Sequence, residues 1–325
     1  NPVGVMYVTG AGVMSAATEN LNIAKQSATT GTGTQLSIGQ LTIGGAGSTS
    51  ASAAFGDVAM ASSTSTQPGN AYINLLAGGS LTAGSFTKGT SGTAYLAFNG
   101  GKLTVGAASK TLNALTAVTS YAGGATIDTN NNNYTVSAPI VAPSGSGVAG
   151  IALASGGLNY VGAPAVVITG GSGAGATAIA KISGGQVTEI IITSPGFGYA
   201  SGDTLTVTLL GGFSSTTAQA GTAASVGTVT FAANSSGGLT KTGTGTLTLT
   251  GANTYAGATL VSGGTLSASA GSLAGTSGVT VNGAVLTAAD IKSSASITLD
   301  ATGIATLSSA GLTLGDVANA DSGTA

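Results

Sequence analysis

Residues 237–266 read GGLTKTGTGTLTLTGANTYAGATLVSGGTL, and this stretch decides the fold class. Between Gly245 and Gly251, Leu247 and Leu249 alternate with threonines. An alternation of period two puts one set of side chains on each face of a β-strand. Gly-Gly pairs and an Asn-Thr-Tyr sequence flank the strand, so the chain must turn at once and begin another strand. The stretch therefore predicts a strand–turn–strand unit.

Related strands recur along the chain. Gly-Gly pairs followed by a strand begin at Gly78, Gly100 and Gly123, which are 22 and 23 residues apart, and at Gly237 and Gly263, which are 26 apart. A period in the twenties is the length of one coil of a β-solenoid, in which stacked coils share one aliphatic interior. Helical repeats would need charged faces, and only 5% of the residues are charged. Further strands are expected at 36–38, 205–209, 279–281, 297–299 and 312–314.

The stretch at 237–266 closely resembles the passenger-associated repeat of bacterial autotransporters. That resemblance implies a secreted parallel β-solenoid, or β-helix, in which folded coils serve as a stalk, an adhesin or a matrix component. Composition agrees with a folded all-β protein, because 42% of the residues are hydrophobic while the net charge is only −2. A nearly neutral surface of this kind also favours self-association.

Residues from about 144 to 222 follow another pattern. The sequences GLNY at 157–160 and GFGY at 196–199 recur 39 residues apart, and two strands at 176–182 and 187–193 lie between them. The pattern resembles a Gly-Tyr β-repeat of large bacterial surface proteins. We therefore expect three segments. These are a solenoid arm at 1–143, whose residues 1–17 form an exchanged or capping strand, an inserted Gly/Tyr-rich β-module at 144–222, and a second solenoid arm at 223–325.

Composition argues against several classes of partner. All seven cations are scattered lysines, which do not make the basic footprint that nucleic-acid binding requires. No run of 18 apolar residues is present, so no membrane-spanning helix is expected. The absence of cysteine excludes disulfides and thiolate metal sites.

Catalytic chemistry is not expected. No histidine is available as the base of a nucleophilic triad. β-Helical polysaccharide lyases, as a family, use basic residues and often an acidic calcium site, whereas this chain has no arginine, no histidine and no acidic cluster. Asp128 and the asparagines at 130–133 carry enough oxygen atoms for a calcium site, but an Asn-rich turn is the favoured interpretation. We expect no enzyme activity, no cofactor and no metal. An atypical carbohydrate-active enzyme that uses Asp290 or Asp300 is the remote alternative.

The first 17 residues suggest a function. They are apolar, uncharged and interrupted only by Pro2. We expect this segment, through Val3, Val5, Tyr7 and Val13, to augment the next subunit and so to build a head-to-tail homopolymer. Deleting residues 1–17 should then abolish assembly and leave each subunit folded.

The expected function is therefore that of an extracellular structural protein at the outer surface of a bacterium. The alternative is a monomeric adhesin that binds cell-surface glycans through tyrosines such as Tyr160, Tyr199 and Tyr255. For these three tyrosines, packing at the corner of a coil is the favoured interpretation.

Overall fold

The computed structural model describes residues 3–25, 37–62, 68–113, 115–213, 221–291, 294–307 and 317–319. These residues form 31 strands and no helix. The chain divides into two compact units. The larger contains Met6–Ala142 and Ser235–Ala325, and the smaller contains Val3–Val5 and Pro143–Asn234.

The strands before residue 142 come three to a coil. They are β1 (Val3–Val8), β2 (Val13–Ala16), β3 (Leu21–Ile23), β4 (Ser37–Ile43), β5 (Ala51–Phe55), β6 (Val58–Met60), β7 (Gly69–Leu76), β8 (Gly79–Ala83), β9 (Phe86–Lys88), β10 (Gly92–Asn99), β11 (Lys102–Val105), β12 (Lys110–Leu112), β13 (Ala117–Ser120), β14 (Ala125–Asp128), β15 (Tyr134–Val136) and β16 (Ile140–Val141).

The smaller unit is antiparallel. Its strands are β17 (Ser146–Ser155), β18 (Ala165–Gly170), β19 (Ala174–Ser183), β20 (Gln186–Phe197), β21 (Leu205–Leu210) and β22 (Ser225–Ala233). β17 pairs with β22, and the other four form a sheet in the order β20-β19-β18-β21. The strands predicted at 176–182, 187–193 and 205–209 are confirmed as parts of β19, β20 and β21. The division of the sequence into three segments remains a proposal.

The strands after residue 234 come two to a coil. They are β23 (Leu239–Thr242), β24 (Thr246–Leu249), β25 (Thr259–Val261), β26 (Thr265–Ala268), β27 (Gly278–Val281), β28 (Val285–Ala288), β29 (Ser296–Leu299), β30 (Ile304–Leu307) and β31 (Val317–Asn319). The strands predicted at 279–281 and 297–299 are confirmed, whereas residue 36 and residues 312–314 lie outside the described residues.

Three parallel sheets build the solenoid. Sheet 1 has the order β1-β4-β7-β10-β13-β16, and sheet 2 has the order β2-β5-β8-β11-β14-β23-β25-β27-β29-β31. Sheet 3 has the order β3-β6-β9-β12-β15-β24-β26-β28-β30. Because each strand pairs with the corresponding strand of the next coil, the predicted all-β parallel solenoid is confirmed.

The stacking continues across the residues of the smaller unit. Thr126 in β14 pairs with Thr240 in β23, and Thr135 in β15 pairs with Thr248 in β24. The coil that follows residue 234 therefore lies directly on the coil that precedes residue 142. Gly237 permits this approach, because a Cβ at that position would collide with the carbonyl oxygen of Tyr121 on the preceding coil.

Aliphatic columns fill the interior. In sheet 3, Leu247, Leu266 and Leu286 lie in register on consecutive coils, and all three are fully buried. Burial of one leucine side chain contributes about 1.5–3 kcal/mol, so each coil adds to stability mainly by covering its neighbour.

Candidate functional site

The first coil lies at the edges of the sheets. β1, β2 and β3 are terminal strands of sheets 1, 2 and 3 within the described residues. β2 pairs on one side with β5, where Met14 is in register with the buried Ala53. The segment from Val3 to Ala16 therefore contributes strands of the first coil, and a β-strand edge of this kind is a template for another chain.

The predicted assembly residues differ in exposure. Val13 is 74% exposed and Val5 is 37% exposed, whereas Val3 and Tyr7 are only partly exposed. Met6, which the alternation rule did not single out, is 39% exposed. An edge strand has a neighbour on one side only, and three consecutive residues of β1 are accordingly exposed.

The far end of the solenoid presents parallel strands of the same direction. β31 is the terminal strand of sheet 2 and β30 is the terminal strand of sheet 3 in the part of the chain that the structure describes. In a parallel stack, one edge has the hydrogen-bond pattern that the opposite edge of another copy can continue. The two ends are thus complementary in their backbone pattern.

A buried lysine lies inside the repeat at 239–268. Lys241 is in β23, where its Cα is in register with those of Ile127 and Val261, two fully buried residues. The side chain of Lys241 is itself completely buried. An isolated buried ammonium group is very costly, so it requires several oxygen acceptors.

Four oxygen atoms surround the ammonium group of Lys241. The three N–H groups of Nζ are shared among Thr129 Oγ1 at 2.8 Å and the carbonyl oxygens of Thr242 at 2.8 Å, Gly243 at 2.6 Å and Gly263 at 2.9 Å. Thr129 belongs to the preceding coil and Gly263 to the following one. Lys241 therefore joins three consecutive coils at the point where the solenoid resumes.

The protonation of Lys241 reflects this environment. Burial lowers its pKa from the ordinary 10.5 to about 8, and the negative charge of Asp128 opposes that change. The four oxygen atoms also favour the protonated form, because they accept hydrogen bonds from an ammonium group. We call Lys241 and its four acceptors the lysine cage.

A second polar cluster lies at the corner of the same repeat. Asn253 Oδ1 accepts from the backbone N–H of Ile140 at 2.8 Å, and Asn253 Nδ2 donates to the carbonyl oxygen of Ser272 at 2.7 Å. The hydroxyl of Tyr255 lies 2.7 Å from that of Thr259. Desolvation by burial raises the pKa of Tyr255 to about 12. These side chains link neighbouring coils.

The side chains of the Asn-rich turn form hydrogen bonds within the turn and to the next coil. Asp128 Oδ1 accepts from the N–H of Asn130 at 2.8 Å, and Asn130 has a φ of 53°. Asn131 Oδ1 accepts from the hydroxyl of Thr244 at 2.6 Å, and Asn133 Oδ1 accepts from the N–H of Thr246 at 3.1 Å. Among the residues that the structure describes, no group of three acidic, His or Cys side chains is placed to hold a metal ion.

The acids considered for catalysis stabilise turns. Asp290 accepts from the N–H of Gly271 at 2.8 Å. Asp300 accepts from the N–H groups of Gly283 and Thr302, both at 3.0 Å, and its pKa is lowered chiefly by the bond from Gly283. Each carboxylate therefore has a role in holding a coil corner.

The tyrosines considered for glycan binding are buried. Tyr160 is 5% exposed, Tyr199 is 6% exposed and Tyr255 is 1% exposed. In the smaller unit, the hydroxyl oxygen of Tyr160 accepts a hydrogen bond from the backbone N–H of Ala224 at 2.9 Å. The interpretation of these residues as packing groups agrees with their burial. Partly exposed rings occur in sheet 1, where Tyr72 stacks on Tyr95 with ring centroids 5.5 Å apart.

The fold and the repeat together define a class of protein. Its large parallel sheets are those of a β-solenoid, and residues 239–268 match the family model of the passenger-associated-transport-repeat. The chain therefore carries the repeat of autotransporter passengers, as its sequence predicted, and that family implies a secreted or surface protein. Proteins with this repeat and fold are generally structural or adhesive.

The other comparisons add no relative. Neither the search of curated proteins nor the search of solved structures gave a match. In the described part of the chain, no helix has the length and apolarity needed to cross a membrane.

Proposed function

We propose that this chain is an extracellular structural protein of a bacterial surface, which associates head to tail into filaments or a matrix. The observation that carries the proposal is the apolar edge of the first coil, where Val13 is 74% exposed on the terminal strand β2. Natural edge strands are commonly protected by lysine, proline or a covering segment. From Val3 to Thr18 the chain has no charged residue.

The geometry of the stack supports an end-to-end contact. Every coil of sheet 2 runs in the same direction, so β2 of one subunit can extend the far edge of sheet 2 in another. A contact between two different surfaces is heterologous, and it produces an open filament when the rotation between subunits does not close a ring. Filament growth would then need no reactive group.

A single charge tests the proposal. Val13→Lys places a cation on the edge strand without removing any backbone hydrogen bond. Ser52→Lys is the matched control, because Ser52 is the register partner of Val13 on β5, inside the sheet. Negative-stain electron microscopy and light scattering should show fibres for the wild type and for Ser52→Lys, and dispersed particles for Val13→Lys.

The substitution is a sharper test than truncation. Deleting residues 1–17 would remove β1 and β2 and would leave β5 as a new terminal strand of sheet 2, which could itself support assembly. If Val13→Lys forms fibres as readily as Ser52→Lys, the first coil is not the assembly site. Dispersed particles for the wild type as well would contradict the filament proposal and favour the monomeric adhesin, and a glycan-binding screen would follow.

A further inference from the structure

One face of the solenoid carries a regular row of hydroxyl side chains. Register pairs connect outward residues of sheet 3 on six consecutive coils. The row consists of Thr111, Thr135, Thr248, Ser267, Thr287 and Thr306. Their inward neighbours, such as Leu247 and Leu286, are fully buried, so the row faces outward.

A second row runs beside the first on the last four of these coils. Its members are Thr246, Thr265, Val285 and Ile304. All four are β-branched, and Ile304 is 56% exposed. We call the ten residues of both rows the threonine face.

The threonine face has no charged member. Lys110, next to Thr111, bonds with its ammonium group to Asp57 at 2.9 Å. Sheet 2 differs, because Lys102 and Asp128 lie on neighbouring coils of that sheet and form an ion pair at 3.5 Å. Charged side chains protect exposed sheets against association, so on the coils of β11 and β14 the threonine face is less protected than sheet 2.

We propose that the threonine face pairs with the threonine face of a second copy of this chain, so that neighbouring filaments associate side by side. This inference rests on the self-association proposed above. Adjacent coils repeat at ~4.8 Å, and two copies share that period, so their rows stay in register along the whole contact. Rows of small β-branched side chains can interdigitate between two sheets at ~10 Å separation.

The area of the face sets the strength of the contact. Six coils at ~4.8 Å and a width of roughly 12 Å give a face of about 350 Å² per subunit, or about 700 Å² for a pair. This is below the ~1,200 Å² of a stable interface, so two single subunits should not remain paired. Many such contacts along two filaments act together, and their combined avidity can hold the filaments in a bundle.

The test attaches the full chain to beads at high density. Many copies on each bead then supply the multiple weak contacts that a filament would otherwise provide. All bead-bound proteins carry Val13→Lys, which blocks the proposed end-to-end contact. The charged variant adds Thr248→Lys and Thr287→Lys on the threonine face. Its matched control adds Thr240→Lys and Thr280→Lys, which lie outward on sheet 2 in the same two coils.

We expect beads with an intact threonine face to cluster, and the sheet 2 control to cluster equally. The charged variant should lose clustering at low salt and recover it at high salt, because screening weakens repulsion between exposed charges. Thr248→Val with Thr287→Val should retain clustering, and circular dichroism of each variant should match the wild type.

Three outcomes overturn the inference. In the first, the charged variant clusters as well as its sheet 2 control. In the second, no beads cluster, not even those with an intact threonine face. In the third, the charged variant and the sheet 2 control both lose clustering to the same extent. None of them affects the proposed function, which electron microscopy of the wild type and of Val13→Lys tests separately.

Discussion

Replacing Lys241 by methionine removes the ammonium group and keeps most of the aliphatic stem. The carbonyl oxygens of Gly243 and Gly263 then lose a donor that lies at 2.6 and 2.9 Å in the wild type. A fully buried acceptor left unsatisfied costs about 1–3 kcal/mol. Gly243 and Gly263 are only partly buried, so their two carbonyls together cost roughly 2–4 kcal/mol. Relief of the buried charge offsets part of that cost. We expect Lys241→Met to lower the free energy of unfolding by about 2–3 kcal/mol.

The matched control is Lys102→Met. Lys102 is on β11 of the same sheet, its side chain is 43% exposed, and it pairs with Asp128 at 3.5 Å. An exposed ion pair contributes at most about 1 kcal/mol, so the control should stay close to the wild type.

Urea unfolding followed by far-ultraviolet circular dichroism compares the two variants. Because stacked coils need not unfold in one step, amide hydrogen exchange in β14, β23 and β25 reports the local effect. Lys241→Met should accelerate exchange in these three strands. If its stability and exchange equal those of Lys102→Met, the lysine cage does not hold the coils together.

Three further predictions concern ionisation and hydrogen bonding. Because burial lowers the folded-state pKa of Lys241 from the ordinary 10.5 to about 8, the cost of burying its charge is absent above pH 10.5, appears as the pH falls through this window and is complete below pH 8, where it offsets part of the contribution of the hydrogen bonds. Urea unfolding at several pH values should therefore show the free energy of unfolding of the wild type rising relative to that of Lys241→Met as the pH rises from 8 to 10.5. Asp57→Ala should cost at most about 1 kcal/mol at neutral pH, since the carboxylate is 41% exposed. The pKa of Asp57 is lowered chiefly by the N–H of Ser85, then by Lys110, so this cost should vanish as the pH falls below 3.8, and equal effects at all pH values would contradict it. Tyr255→Phe should cost about 1 kcal/mol by removing the 2.7 Å contact with Thr259, as thermal unfolding would measure.

The alternation of leucine and threonine was sufficient to predict strands and the solenoid class. The same rule places Lys241 on the inward face, two residues after the buried Leu239. In the sequence the seven lysines are only scattered cations, because a buried lysine needs acceptors that sequence alone does not reveal. The four oxygen atoms of the lysine cage come from three coils and meet only in the folded stack.

Other features depend on pairing over long distances. The spacing of the Gly-Gly pairs predicted coils, but not that Thr126 would pair with Thr240. Nor did it predict that coils with three strands would be followed by coils with two. At the first coil, alternation suggested Val5 and not Met6, although an edge strand leaves both exposed. Edge position is a property of the sheet and has no local sequence signal.

X-ray diffraction from aligned fibres of the full chain tests the head-to-tail proposal most directly. Strands of neighbouring coils repeat at ~4.8 Å along the stack. If subunits join end to end, the stack runs along the fibre, and the ~4.8 Å reflection should lie on the fibre axis. The reflection should persist in fibres of Ser52→Lys. A ~4.8 Å reflection perpendicular to the fibre axis, or a wild-type chain that forms no fibres, would contradict the proposal.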